Sequence, residues 1–230
     1  MRVLVACEFS GTVRDAFTAL GHYAVSCDLL PSDKPGSHYQ GDVFDIINDS
    51  FDLMVAHPPC TFLTCSAEWA YKDKQTKNIK PGVLIGAKRK EAREKAVDFF
   101  MRLANASIEK IAIENPVGVM STRWRKPDQY IQPYEYGHDA SKRTGLWLKN
   151  LQPLRPTKLI VPRWVCCGVP LSEEVPCPYC LGDKTPLPRW GNQTNSGQNR
   201  EPPSKDRWKI RSTTWKGWAE AMADTWGRSY

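Results

Sequence analysis

Apolar residues run through the first half of the chain in short bursts, and each burst ends near a residue with a reactive or turn-forming side chain. Residues 2–7 (RVLVAC) are mostly apolar and lead into Glu8, Phe9, Ser10 and Gly11. Val13, Phe17 and Leu20 then recur at helical spacing, with Gly21 placed as a C-cap glycine would be. Tyr23 to Cys27 predicts a second strand ending at Asp28, and residues 31–41 a loop. Residues 52–56 (DLMVA) predict a further buried strand that stops at His57-Pro58-Pro59-Cys60. A polar loop over about 71–82 precedes a predicted helix over 87–104, in which Ala92, Ala96, Phe100 and Leu103 share a face. Residues 110–113 (KIAI) are again strand-like and run into Glu114-Asn115-Pro116.

Strands alternating with helices predict an α/β fold, a Rossmann-like, doubly wound and mostly parallel sheet. Ligands of such sheets sit outside the carboxyl ends of the strands. Asp28, Cys60 and Glu114 all fall at predicted strand ends, so the pattern directs them to one edge. After Asn150 the periodicity fades. Residues 151–207 are rich in Pro, Gly, Asn, Ser and Trp and read as a small cysteine-containing insert. Trp215, Ala219, Met222 and Trp226 restore helical spacing near the end of the chain. No internal repeat is visible.

Composition narrows the class. The 230 residues are 41% hydrophobic and 25% charged, which suits a globular domain with a small insert. No apolar run reaches the roughly 20 residues that span a membrane. The first residues lack a signal peptide's charged lead and cleavage site, so a cytoplasmic protein without membrane contact is expected. The net charge of +7 favours an anionic partner. Residues 72–95 hold nine Lys or Arg against three Asp or Glu, nearly all of that excess.

The candidate chemistry starts at Cys60. Two prolines stiffen the turn before it, and a thiol is the best ordinary nucleophile near neutral pH. Alone, the motif fits a small core cysteine equally well. Glu114 changes the weighing. A thiol that attacks C6 of cytosine builds electron density in the ring, which an acid at N3 relieves. Read alone, Glu114 could also be a capping or solvated carboxylate.

With these motifs the chain resembles the cytosine-5 DNA methyltransferase family, in particular its compact bacteriophage forms. Pro59-Cys60 matches the family's nucleophile turn. Glu114-Asn115 matches its acid turn, with Pro116 in place of Val. Ser141-Lys142-Arg143-Thr144, before the strand-like Gly145 to Leu148, is the nearest match to its Gln-x-Arg-x-Arg strand. The likeness covers about residues 1–150 and the last twenty or so. It implies a catalytic domain over 1–150 with the S-adenosylmethionine-dependent methyltransferase fold, a DNA-recognition insert over 151–207, and a C-terminal helix over 208–230 that returns to the catalytic domain. It implies Cys60, Glu114 and Arg143 as catalytic residues, with Arg143 also touching DNA.

The same resemblance implies S-adenosylmethionine as cofactor, held by Glu8, Phe9, Gly11, Asp28, Asp42, Val43 and Pro58. The family's Gly-rich first turn is reduced here to Gly11. Asp28 would take the ribose hydroxyls and Asp42-Val43 the adenine. The implied partner is DNA with a flipped cytosine, met by a monomer, in the host cytoplasm if phage-encoded, as part of DNA modification. Lys72, Lys74, Lys77 and Lys80 would neutralise phosphates, while Trp164, Trp190, Asn192, Gln193, Asn195, Gln198 and Arg200 of the insert would read or wedge bases. Cys177-Pro178-Tyr179-Cys180 with Cys166-Cys167 offers four thiolates for a structural zinc, or four unmetallated thiols. An amino-group DNA methyltransferase, a degraded DNA-binding decoy and an enzyme acting on free nucleotides are the competing readings.

Overall fold

The central strands are buried continuously, with successive residues alternating between the cores on the two faces of the sheet. The computed structural model describes residues 1–73, 79, 81–171, 177–180, 182–200, 204–205 and 207–228. Strand β1 (Arg2–Ala6) sends Val3 and Val5 to one face and Leu4 and Ala6 to the other. Helix α1 (Thr12–Ala19) follows, then β2 (Tyr23–Asp28), β3 (His38–Gln40) and β4 (Leu53–Ala56). Helix α2 (Gly86–Ala104) leads to β5 (Lys110–Pro116), α3 (Met120–Arg123), β6 (Gln129–Ile131) and β7 (Thr144–Lys149). The insert contributes β8 (Arg163–Cys166), β9 (Val169–Leu171) and β10 (Leu187–Arg189). Helices α4 (Arg207–Ser212) and α5 (Lys216–Trp226) follow.

The main sheet has seven strands in the order β3-β2-β1-β4-β5-β7-β6. Strands β1 to β5 are parallel, and β7 runs antiparallel between β5 and β6. Helices cover both faces. Val13 and Phe17 of α1 pack with Trp218, Met222 and Trp226 of α5 on the Val3, Leu53 and Val55 side. Phe100 and Leu103 of α2 and Met120 of α3 pack on the Leu4, Met54 and Ile111 side, where the Phe100 and Trp147 rings meet edge to face at 5.2 Å. This is the expected doubly wound α/β sheet. Its strand order reverses between β1 and β4, which places the ligand-binding crevice at their carboxyl ends.

Several expected boundaries move. Glu114 and Asn115 lie inside β5, not after it, because pairing with β7 extends the strand through Pro116. Asp28 is the last residue of β2, and β3 forms within the segment expected to be a loop. Leu20, expected on the buried face of α1, is 46% exposed at the helix C-cap, and Gly21 follows with φ 82°. The insert, expected to be irregular, contains an antiparallel sheet in the order β10-β8-β9. No helix among the described residues is long and apolar enough to cross a membrane.

Candidate active site

Sheet register brings the site together. Ala56 of β4 pairs with Ile113 of β5, so one residue further His57 lies beside Glu114 and Pro58 beside Asn115. His57 Nδ1 stands 3.1 Å from Glu114 Oε2, and both side chains are buried. The His57 N–H donates to Ala6 O, and Asn115 Nδ2 donates to Pro58 O at 2.8 Å. The two-proline turn is thus fixed by a backbone bond on one side and an amide on the other. Beyond it, the Leu63 and Thr64 N–H groups donate back to Cys60 O. The 60–64 loop is also pressed against the turn after β5, where Val119 N–H donates to Leu63 O. A β-carbon on Gly118 would lie 2.0 Å from Leu63 O, so this close approach requires glycine.

The electrostatics are set by a cation that the sequence reading gave no catalytic role. Burial pushes the Glu114 carboxyl up, but the Lys142 charge, His57 and the Thr144 hydroxyl outweigh it and hold the group below the usual carboxylate range. Burial also raises the Cys60 thiol, Glu114 adds to this, and Lys142 and Arg211 pull it partly back. Lys142 acts on both Cys60 and Glu114, with its Nζ donating to Arg211 O at 3.4 Å and its N–H to Gln132 Oε1 at 2.9 Å. Arg143 is exposed, its guanidinium 4.0 Å from the Tyr130 ring centre. Three buried atoms at this site have no hydrogen-bond partner among the described residues: His57 Nε2, Glu114 Oε1 and Asn115 Oδ1. Buried polar groups are nearly always satisfied, so these three atoms leave room for a further polar partner, water or ligand.

Next to this group, a cleft of about 220 Å³ opens at the strand ends, lined by Cys7, Asp28, Leu29, Asp42, Val43, Pro59 and Phe99 among others. Burial raises the Asp28 carboxyl, whose Oδ1 accepts the Leu30 N–H. Asp42 accepts the Phe44 N–H. Cys27, behind them, is pushed up to about 12 by burial and the neighbouring carboxylates. Asp28, Asp42 and Val43 therefore line one cleft, with Pro59 rather than Pro58 at its wall. The other three residues expected at the cofactor are not among the residues that line this cleft. Glu8 is buried and accepts the Val13 and Arg14 N–H groups at the start of α1. A β-carbon on Gly11 would lie 2.4 Å from the buried Arg14 guanidinium. Phe9 lies under α4, its ring 5.9 Å from that of Trp208.

The expected DNA contacts divide in the same way. Lys72 follows the segment after Cys60, while Lys74, Lys77 and Lys80 lie outside the described residues. Two cations of the basic segment are structural. Arg93 donates to Phe62 O, pairs with Glu68 at 2.6 Å and stacks on Tyr71, and Arg89 packs over Phe62 and Tyr71. In the insert, the groups expected to read bases are mostly spent internally. Asn192 makes two hydrogen bonds to the Ser141 backbone, Asn195 bonds Arg163 and Gly168, and Gln193 accepts the Trp190 N–H. Trp190 stacks on Tyr134 at 4.3 Å, and Gln198 and Arg200 stay exposed. The Sγ atoms of Cys166, Cys167, Cys177 and Cys180 converge within 4.8 Å of one another.

Sequence reasoning overlooked His57, Asn115 and Lys142 as partners. The one available signal was strand register, which sets His57 level with Glu114.

No protein-family model and no curated protein matches the chain. Among solved structures, an E. coli protein described as a prophage-encoded DNA modification methyltransferase aligns over 70% of this chain and 52% of its own, at 13% identity and TM-score 0.42. S. pombe Dnmt2 methyltransferase aligns over 66% and 50%, at 16% identity and TM-score 0.38. A triple mutant of Spodoptera frugiperda DNMT2 aligns over 69% and 54%, at 11% identity and TM-score 0.36. The chain thus spans about half the length of each structure it matches.

Proposed function

We propose that this chain transfers a methyl group from S-adenosylmethionine to carbon 5 of a cytosine in DNA. The observation that carries the reading is Cys60 on a clamped two-proline turn beside the buried His57–Glu114 pair, at the strand edge that also forms the Asp28–Asp42 cleft. The cleft suits the cofactor. Leu29, Val43 and Phe99 offer apolar walls to a flat base, and two carboxylates suit ribose hydroxyls and a sulfonium cation. When bound, S-adenosylmethionine supplies an electrophilic methyl group.

In this reading the Cys60 thiolate bonds to C6 of a flipped cytosine, and the electron pair displaced from the C5–C6 bond is delocalised over the ring. Once C5 is methylated, its proton would pass to water, the C5–C6 double bond would re-form, and the C6–S bond would break to return the thiolate. Glu114 begins as a carboxylate, and its unpartnered Oε1 is available to the base edge. A proton on Glu114 can be donated at N3, and His57 Nδ1 is the neighbouring nitrogen in contact with the carboxyl group. Lys142 stabilises negative charge at both groups.

Expression in a host lacking cytosine methylation, followed by bisulfite sequencing, tests the assignment. New 5-methylcytosine that disappears with Cys60→Ser is expected. Methylated adenine, N4-methylcytosine, or no DNA methylation by folded protein that binds S-adenosylmethionine would reject it.

A further inference from the structure

The insert holds four thiols whose geometry the methyl-transfer reading leaves unused. Cys166 Sγ lies 3.7 Å from Cys180 Sγ and 3.9 Å from Cys167 Sγ, and all four sulfurs fall within 4.8 Å of one another. Tetrahedral zinc with Zn–S of about 2.3 Å sets its sulfurs about 3.8 Å apart. A disulfide would need about 2.05 Å, and all four cysteines are free. The backbone is bent to make the cluster. Cys167 (φ 50°) and Gly168 (φ 79°) form the two-residue turn between β8 and β9, and a left-handed conformation is unfavourable for cysteine. That strained turn sets two adjacent thiols around one centre, opposite the Cys177–Cys180 knuckle.

The β8–β9 turn is also tied, through one loop, to the segment before β7. Asn195 Nδ2 donates to Gly168 O at 2.9 Å, and Asn195 Oδ1 accepts from Arg163 of β8. The same loop carries Asn192, which accepts the Ser141 N–H and donates to Ser141 O, each at 2.9 Å. Gly191 N–H adds a bond to Asp139 at 2.7 Å. Ser141 is followed by Lys142, the cation that acts on Cys60 and Glu114.

We propose that Cys166, Cys167, Cys177 and Cys180 hold one Zn²⁺, and that the filled knuckle, through Asn195 and the Asn192–Ser141 clamp, fixes Lys142 beside Cys60 and Glu114. The second half rests on the reading of Cys60 and Glu114 as the reacting pair. Lys142 is a positioning charge here, and the metal is a remote brace for it.

The test uses the full chain and needs no methyl transfer, so its failure is separable from failure of the activity. Purified protein should carry about one zinc per chain by mass spectrometry. Protein loaded with cobalt instead should show the strong visible bands of tetrahedral cobalt thiolate, and Cys177→Ser/Cys180→Ser should lose both signals. Asn192→Ala should keep its zinc but slow iodoacetamide alkylation of Cys60, read on its peptide, by up to about tenfold, as a thiol pKa higher by about one would. If Asn192→Ala fails to fold, Asn192→Asp, which keeps the acceptor for the Ser141 N–H but loses the donor, carries the same comparison. Folded, zinc-free wild-type protein would overturn the site. Zinc-replete Asn192 variants with wild-type Cys60 alkylation would overturn the brace.

Discussion

At the residue scale, the site is a contest between burial and one lysine. Burial alone would leave Cys60 a poor nucleophile and Glu114 protonated, while Lys142 opposes both effects. Lys142→Met should therefore move the pH profile of Cys60 alkylation to higher pH, and a profile displaced by about one pH unit would lower the rate at neutral pH about tenfold. Alkylation measured across the alkaline range checks this, and an unmoved profile would remove Lys142 from the site. Glu114 gives a second prediction. Its folded-state carboxyl lies below the usual range, so the stability it contributes is present above the ordinary glutamate value and lost as pH falls through the lower folded one. Glu114→Gln should flatten that acid limb in urea midpoints measured against pH. Cys60 and Glu114 were legible in the sequence because their residue types and motif neighbours are distinctive. His57 and Lys142 were not, because their importance depends on which rung of one strand meets which rung of the next.

At the element scale, the strands with continuous apolar runs, β1, β4 and β5, were visible in the sequence, and α2 starts within a residue of its expected place. The three-residue strands β3 and β6 were not, since partners rather than their own patterns decide them. The insert strands were hidden by only partial burial, which leaves no alternation to read. One close approach has a direct consequence. Gly118→Ala places a methyl group against the Leu63 carbonyl, backbone against side chain with no rotamer to relieve it. We expect about 1–3 kcal/mol of destabilisation by urea titration, and slowed Cys60 chemistry as the 60–64 loop is pushed away. Unchanged stability would mean that the loop yields freely. Trp218, 1% exposed beneath the sheet, should cost about 3–5 kcal/mol on truncation to alanine, with the loss appearing in the same titration.

For the whole molecule, the net charge of +7 and the basic composition of residues 72–95 suit a polyanionic partner. If about four phosphates are neutralised, affinity for duplex DNA should fall about a hundredfold between 50 and 200 mM salt. Fluorescence anisotropy at several salt concentrations measures the slope, and a flat dependence would argue for a free nucleotide as substrate. The change of composition after Asn150 is visible in the sequence, whereas the bonds that the insert's polar residues make are not. Asn192, Gln193 and Asn195 look like base readers by residue type alone; in the fold Asn192 ties the insert to Ser141, while Gln193 and Asn195 bond Trp190 and Gly168 within the insert.

The central claim is a covalent bond between Cys60 and the base. Duplex DNA containing 5-fluorocytosine, incubated with the protein and S-adenosylmethionine, blocks loss of the substituent from C5 and so holds the adduct. Intact mass spectrometry should show protein heavier by one DNA strand, peptide mapping should place the link on Cys60, and Cys60→Ser should give none. A folded, methylating protein that forms no adduct, or one that links through another residue, would contradict the account.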